Sequence, residues 1–498
     1  MEPYNLLVVS DLHLCEGFDP RSGKMSRTED FLFDGAFARF LDYHERVKHQ
    51  PRFEGRPWLL VLAGDLFEFL QVVALPREGR ELRVVKGVDT YDKLRPNERE
   101  FGLGTTARES EWKLKRIARG HQPFFSALGR FIAHGNRVAV IKGNHDIDLY
   151  WPEVQDRFVI EVKRAYTRWR LATGEGEPIT FEKVERAIDF YPWFFYESDH
   201  VYIEHGGQYD TANHFPDFIS PTMPSDSKRL LLPWGSLFVR YLFNKVEDVH
   251  PFADNIKPMT RYMGWAIREN PGKTFYLLAT RGWVFLRAFF NVAEKEVERA
   301  IERARHRADN ESIDHCPLPT EIVSQLQVLA RRQVQRSEGI GFGAVLYNLP
   351  ALIAVGLILA SVWSLWQGDF GNAGLLLLGA AAAYVLRWVL KRHFESPFEH
   401  FLLRTARKIE QILAPDHAVP YIVMGHDHQP ALERLEEGWY VNTGAWVPLY
   451  DEDGPIAGRE KLSFLRLPWG NQGTPDLLHW NDGARAPERL VIWHEEQT

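Results

Sequence analysis

An α/β fold is what this sequence predicts, and three observations predict it. Short apolar runs (Leu6–Ser10, Trp58–Ala63, Val138–Lys142, Val201–Glu204 and Tyr421–Met424) read as strands. Each of the five ends at a polar block rich in Asp, His, Asn or Gly, and open α/β sheets gather their sites at strand C-termini. Residues 27–50 and 107–134 read as helices able to cover such a sheet. Further strand-like runs are Trp439–Asn442, Ser463–Leu467 and Leu490–Trp493, whereas residues 71–106 are charged and loop-like.

Length and composition are those of a folded chain. At roughly 100–200 residues per domain, 498 residues allow two to four domains. A hydrophobic share of 45% and a charged share of 26% exclude a mostly disordered protein, a collagen-like fibre and a polytopic transporter. Lys and Arg total 60 against 67 Asp and Glu, a net charge of −7, so no nucleic-acid partner is expected. Two cysteines, Cys15 and Cys316, are too few for a disulfide framework and fit a reducing compartment. Met-Glu-Pro-Tyr leads directly into Leu6–Val9 without a basic segment, so the run reads as a buried first strand rather than a signal peptide.

From about residue 211 to 415 the pattern changes to long helical stretches. Residues 340–366 carry no charge, and a membrane span needs about 20 apolar residues. Residues 373–390 are apolar except for Arg387, and the polar turn QGDFGN lies between the two runs. The predicted object is a transmembrane helical hairpin; the alternative is a hairpin buried in a soluble core. Arg331, Arg332 and Arg336 precede it, Arg387, Lys391 and Arg392 flank its end, and the turn has only Asp369. The positive-inside bias then puts both halves of the chain in the cytoplasm. Residues 228–245 and 273–291 mix Leu, Trp and Phe with Lys and Arg, which suits a membrane interface or an amphipathic helix packed on the core. Residues 293–308 read as a solvated charged helix. The domain reading is a catalytic core over 1–210, a helical insertion over 211–415 and a second part of the core over 416–498.

Five blocks carry the chemistry. In Asp11-Leu12-His13 the first and third residues face one side of an extended segment, so a carboxylate and an imidazole can approach one cation. Alone, that pattern is a strand-end turn. Gly64-Asp65-Leu66-Phe67-Glu68 lets the backbone turn sharply and delivers Asp65, either as a carboxylate able to bridge two cations or as a helix cap. Gly143-Asn144-His145-Asp146 offers Asn144 as a neutral ligand and His145 as a general acid, with Asp146 orienting its ring. His205-Gly206-Gly207 is weak by itself. Gly425-His426-Asp427-His428 places two imidazoles two residues apart.

Five strand-plus-block units share one purpose more readily than five accidents. The candidate ligands are Asp11, His13, Asp65, Asn144, His205, His426 and His428, with no thiolate among them. Such donors suit Mn, Fe or Zn, and seven with one bridging carboxylate suffice for two divalent ions. Two metals about 3.5–4 Å apart clamp the attacking and leaving oxygens of a phosphoryl displacement. Cys15 reads as a small core residue. His121, His134, His214 and His250 have no comparable context, and Gln208 and Asp210 are close enough to His205 to touch substrate.

Asp11-x-His13, Gly64-Asp65-x-x-Glu68, Gly143-Asn144-His145-Asp146, His205 and Gly425-His426-x-His428 resemble the calcineurin-like metallophosphoesterases, with all five blocks in family order. The resemblance covers roughly residues 1–210 and 416–495. It implies a four-layer αββα sandwich around a di-metal centre. One metal would be held by Asp11, His13, Asp65 and His428, the other by Asp65, Asn144, His205 and His426. His145 would assist phosphate binding and leaving-group departure while a metal-bridging hydroxide attacks phosphorus in line. Ser10-Asp11-Leu12-His13-Leu14, Gly64-Asp65-Leu66-Phe67-Glu68 and Asn442-Thr443-Gly444-Ala445-Trp446 are also similar to the UDP-2,3-diacylglucosamine pyrophosphohydrolases. That branch cleaves a lipid-linked diphosphate and inserts a helical lid between the fourth and fifth blocks, the slot held here by 211–415.

The expectation is a membrane-associated phosphoesterase, manganese first among its metals, acting beside a lipid bilayer on a lipid-linked phosphate or diphosphate. The alternatives are a tethered hydrolase of soluble nucleotide, cyclic nucleotide or phosphoprotein, and, last, a non-catalytic scaffold.

Overall fold

The structure is a computed structural model and describes residues 3–19, 23–210, 212–244, 294–310, 318–394, 401–414, 416–448, 450–451, 454–455 and 462–490. The predicted stretch 273–291, Cys316 and His250 lie outside the described residues, as do 491–493 of the last predicted strand. A strand is observed just before it, at Ala486–Arg489.

Two sheets form the centre. The larger has seven strands in the order Ala486–Arg489, Asp476–Asn481, Ser463–Leu467, Asn5–Val9, Trp58–Ala63, Arg137–Ile141 and Ile188–Tyr191. The last four run parallel, and the three from the C-terminal part join antiparallel. Trp58–Ala63 reads WLLVLA and every residue is buried, as a central parallel strand covered on both faces requires. The smaller sheet orders Ala431–Arg434, Trp439–Asn442, Tyr421–Met424, Val201–Glu204 and Phe194–Glu197. Tyr421–Met424 is parallel to both of its neighbours.

Three apolar cores stack around these sheets. Leu6, Val8, Val61 and Ile141 of the larger sheet meet Ile203, Val423 and Val441 of the smaller one. On the outer face of the larger sheet, Leu7, Leu60 and Val140 pack with Phe37, Phe40, Leu114, Phe125 and Phe158 from helices Asp34–Val47, Ala107–Gly120, Gln122–Ala133 and Pro152–Thr173. On the outer face of the smaller sheet, Tyr202, Ile422 and Tyr440 pack with Leu326 and Leu329 and with Leu402, Ala406 and Ile409 of helix Phe401–Leu413. The layers therefore run helix, sheet, sheet, helix, a mixed α/β arrangement.

Local chemistry shortens two predicted helices. The segment before Asp34 is not helical because Glu29 turns its carboxylate onto the backbone N–H groups of Cys15, Gly17 and Phe31. The stretch 107–134 is two helices. Thr106 and Glu109 cap the first reciprocally, and it stops at His121, where Pro123 opens the second. Cys15 is a buried core residue, as expected.

The stretch 211–415, expected to be a helical insertion, holds among its described residues the short strands Thr222–Met223 and Asp226–Leu230 and helices Trp234–Phe238, Glu294–Asn310, Thr320–Trp366, Phe370–Phe394 and Phe401–Leu413. Helix Glu294–Asn310 is not merely solvated. Arg303 reaches Asp217 Oδ2 at 3.0 Å, Thr222 Oγ1 at 3.0 Å and the carbonyls of Ser220 and Thr222 at 2.8 and 2.7 Å. Helix Thr320–Trp366 has 47 residues, about 70 Å at 1.5 Å per residue. Its first turns bury Val323, Leu326, Leu329 and Ala330 in the core. Its far end turns through Gly368, at φ +80°, into Phe370–Phe394, which packs back along it. Among the described residues one stretch, Phe370–Val389, is long and apolar enough to cross a membrane, and only 11% of it is buried. Ile353–Trp366 is apolar but shorter, and the side chains of 340–349 and 351–352 lie outside the description.

Candidate metal centre

The five polar blocks all follow strands at their C-terminal ends, and the two facing sheets bring those ends to one edge. Backbone bonds lock the turns together. Asp11 N donates to Gly64 O at 3.1 Å, Leu12 N and His13 N donate to Asp65 O at 3.0 and 2.9 Å, and Gly425 N donates to His205 O at 3.0 Å. Asp11, His13, Asp65, His426 and His428 adopt positive φ, between +49° and +73°. This region is unfavourable for residues with a Cβ and is tolerated where surrounding structure enforces it, characteristically at functional sites. Two glycines permit the close approach. A Cβ on Gly143 would lie 2.2 Å from Asp65 Oδ1, and one on Gly425 would lie 2.4 Å from Asp11 Oδ2.

All seven predicted ligands arrive at this edge, each at most 6% exposed. Six of them fall into two sets whose donor atoms lie within 4.8 Å of one another, Asp11, His13 and His428, then Asp65, His205 and His426, and Asn144 adjoins the second. In the first, His428 Nε2 lies 3.3 Å from Asp11 Oδ1 and 3.2 Å from His13 Nε2. In the second, His205 Nε2 lies 3.0 Å from Asp65 Oδ2, 2.9 Å from Asn144 Oδ1 and 3.3 Å from His426 Nδ1. Asp65 stands between the sets, its Oδ2 also 4.0 Å from His13 Nε2. His13, Asp65 and His145 form a third close group.

The electrostatics are those of a site that attracts positive charge. Burial raises the Asp11 and Asp65 carboxyls, but hydrogen bonds and charge from His428 and His205 outweigh it and hold both below the usual carboxylate range. Burial lowers the His205 imidazole, yet Asp65 and Asp11 raise it to about 9. Buried oxygen and imidazole donors that converge without sulfur match Mn, Fe or Zn and fit two divalent cations.

His145 behaves differently from its neighbours. Its backbone N–H donates to Asp65 Oδ1 at 2.8 Å, while its ring Nδ1 meets Glu68 Oε2. Asp146, expected to orient that ring, does not do so. Its carboxylate turns inward to the backbone N–H groups of Gly143, at 2.6 Å, and Leu66, at 2.8 Å, so it shapes the turn. Burial and the neighbouring Asp65 raise its carboxyl to about 7.

Glu68, fully buried, takes the orienting position and also lies 3.4 Å from His13 Nδ1. Burial raises the Glu68 carboxyl, but His145 and His13 together keep it below its ordinary value. Asp210, read from the sequence as close enough to touch substrate, meets a candidate ligand: its Oδ2 lies 3.1 Å from His426 Nε2. Carboxylates that fix the second nitrogen of an imidazole are a recurrent support for metal ligands.

The family model for calcineurin-like phosphoesterase matches residues 4–270, more than half of the chain. The match stops before His426 and His428, which the fold itself brings to the site. No curated protein matches the chain.

Proposed function

The chain belongs to the calcineurin-like phosphoesterase family, and from that premise we propose that it is a membrane-anchored hydrolase of a lipid-linked phosphate or diphosphate. The family acts on phosphoric ester bonds and uses a dinuclear divalent metal centre. Asp11, His13, Asp65 and His428 hold one ion in this reading, and Asp65, Asn144, His205 and His426 hold the other. Manganese is the first expectation, with iron and zinc as alternatives; the mixed oxygen and nitrogen donors accommodate all three. When bound, the pair supplies charge to the phosphoryl oxygens and acidity to the attacking water.

The protein groups do the rest. Glu68 meets Nδ1 of His145, and in this reading Nε2 gives its proton to the departing oxygen as the P–O bond breaks. Glu68 stabilises the imidazolium before the transfer. Asp146 secures the Gly143 turn, and thereby the position of Asn144.

The membrane half of the reading rests on one observation, the bare apolar surface of the hairpin. Trp366 is 78% exposed, Phe370 74% and Leu378 69%, and neighbours such as Leu359, Trp363, Leu375 and Trp388 are exposed as well. An apolar surface of that extent marks a membrane or protein contact. Its length suits a bilayer, and the arginines at its base suit the cytoplasmic side. A lipid diphosphate, the substrate type of the UDP-2,3-diacylglucosamine pyrophosphohydrolases that the sequence resembles, would meet the site without leaving the bilayer.

The test uses the full chain in vesicles with Mn²⁺. Hydrolysis of a vesicle-borne lipid diphosphate, followed as loss of the intact substrate, should outpace hydrolysis of ATP, cyclic AMP or a phosphopeptide at equal concentration. Faster hydrolysis of any of the soluble esters would replace the lipid reading with a tethered enzyme of soluble substrates.

A further inference from the structure

The insertion supports the site at a place remote from the apolar hairpin. The turn Phe69–Gln71 follows Glu68 directly. Leu70 N–H donates to Glu68 Oε1 at 3.1 Å, and the other oxygen of that carboxylate faces His145. Three side chains hold the carbonyl side of the same turn. Lys113 Nζ donates to Phe69 O at 3.1 Å, Thr28 Oγ1 to Gln71 O at 3.2 Å and Asn244 Nδ2 to Leu70 O at 3.0 Å. Thr28 and Lys113 belong to the elements around the larger sheet, but Asn244 comes from the insertion.

Arg240 works alongside Asn244. Its Nη2 donates to Gly102 O at 2.9 Å and to Leu103 O at 2.7 Å. Gly102 presses on the end of the Glu68 segment so closely that a Cβ there would lie 2.3 Å from Val72 O. Arg240 and Asn244 are 5% and 7% exposed, so water competes little for these bonds. Arg240 lies within the π-helical turn Val239–Phe243 and Asn244 directly follows it, a geometry found disproportionately at functional sites.

We propose that Asn244, with Arg240, is a positioning residue for acid catalysis: it pins Leu70, Leu70 pins Glu68, and Glu68 aims His145. The insertion would then be part of the catalytic apparatus and not only an anchor. The inference rests on the reading of His145 as the acid that protonates the leaving oxygen. A group that acts through the acid matters most when the leaving group is poor. A good leaving group departs as an anion and needs little protonation.

The experiment compares phenyl phosphate with 4-nitrophenyl phosphate on the full chain with Mn²⁺. Asn244→Leu should lower kcat for phenyl phosphate by about tenfold or more, part of the roughly 10²–10⁴-fold range of general acids. The loss with 4-nitrophenyl phosphate should be several times smaller, with KM and two bound metals per chain unchanged. Equal losses on both esters, or none, would overturn the proposal. Should Asn244→Leu fail to fold, Arg240→Lys carries the same comparison, since it keeps the charge but loses the paired carbonyl contacts. Glu68→Gln run in parallel separates the two levels. If it too affects both esters equally, the acid role of His145 falls; if it is selective while Asn244→Leu is not, only the present inference falls.

Discussion

Nε2 of His13 and Nε2 of His428 lie 3.2 Å apart although 415 residues separate them in the chain. Two ring nitrogens that turn their edges to one another, with Asp11 Oδ1 3.3 Å from His428 Nε2, make a candidate cation site that only the closed fold creates. The first and last catalytic blocks must therefore meet before the site exists. The Asp11 carboxylate accepts from the His426 backbone N–H at 3.0 Å and helps that meeting.

Asp65 is the side chain shared by both ligand sets, so its loss should be felt at both ions. Asp65→Ala is expected to lower metal content below two per chain and to reduce aryl phosphate turnover by more than the roughly 10–100-fold typical of outer-shell partners. Elemental analysis beside a steady-state assay decides it. Full turnover with two metals retained would remove Asp65 from the bridge.

His145 and Glu68 should separate catalysis from metal binding. His145→Ala is expected to lose about 10²–10⁴-fold in kcat with metal content intact. Glu68→Gln keeps the shape and loses the charge, and about 10–100-fold is expected. Loss of metal from the His145 variant would instead make it a ligand, as its closeness to His13 and Asp65 allows.

The five blocks were legible because each follows an apolar run, and strand ends are where parallel sheets collect polar groups. Their grouping into two sets was not legible from spacing, since it depends on how two sheets face each other; the family resemblance implied it. The positive φ of Asp11, His13 and Asp65 was not legible as such: Asp and His enter that region more readily than most side chains, but tertiary contacts decide where they do. Asp146 was misread for a similar reason. Adjacency to His145 suggested contact, but the turn sends its carboxylate back onto Gly143 N, while Glu68 arrives from another strand. The edge strands Ile188–Tyr191 and Ala431–Arg434 escaped notice because they are short and only partly buried.

Gly143 offers a test of the packing that sets Asp65. The Cβ introduced by Gly143→Ala would sit 2.2 Å from Asp65 Oδ1, and the neighbour is a candidate ligand held in a left-handed turn, not a flexible chain end. The expected effect is a destabilisation of about 1–3 kcal/mol, typical of overpacking, with weakened metal binding. Gly356→Ala is the control, since nothing lies within 4 Å of the added carbon. Thermal unfolding and metal titration of both variants check the contrast.

His121 should make stability depend on pH. It is fully buried, 3.1 Å from Glu29 Oε2 and 2.9 Å from Asp34 Oδ2. Burial pulls its imidazole down, yet the two carboxylates raise it to about 10. A group whose folded pKa is raised stabilises the fold while protonated. The contribution is complete below the unfolded value near 6.5 and is lost as pH rises through about 10. His121→Leu should cost about 3 kcal/mol near neutral pH, because it takes the cation from the buried carboxylate of Glu29 and the part-buried one of Asp34, which keep only their backbone N–H donors. Denaturant unfolding from pH 6 to 10 should show a decline in the parent that is much flatter in the variant. Parallel declines would assign the pH dependence elsewhere.

The hairpin should be separable from the chemistry. Val323, Leu326, Leu329 and Ala330 anchor the base of helix Thr320–Trp366 in the core, and none of the candidate ligands lies beyond them before His426. Removal of residues 340–392 with a short polar joint spares that anchor, and the two cut ends lie on adjacent antiparallel helices. The shortened chain should therefore remain in solution without detergent and keep aryl phosphate turnover within a few-fold of the parent. A lipid diphosphate in vesicles is a different case. Anchoring converts encounter with a membrane-borne substrate into a search within one surface, and loss of the anchor removes that gain in effective concentration, which is about 10²–10⁴-fold for linked binding events. The shortened chain should fall behind the parent by at least tenfold on vesicles while matching it on the soluble ester. Equal rates on vesicles would leave the hairpin as a tether without a part in substrate delivery, and a parent chain that fractionates as soluble without detergent would reject the membrane reading itself.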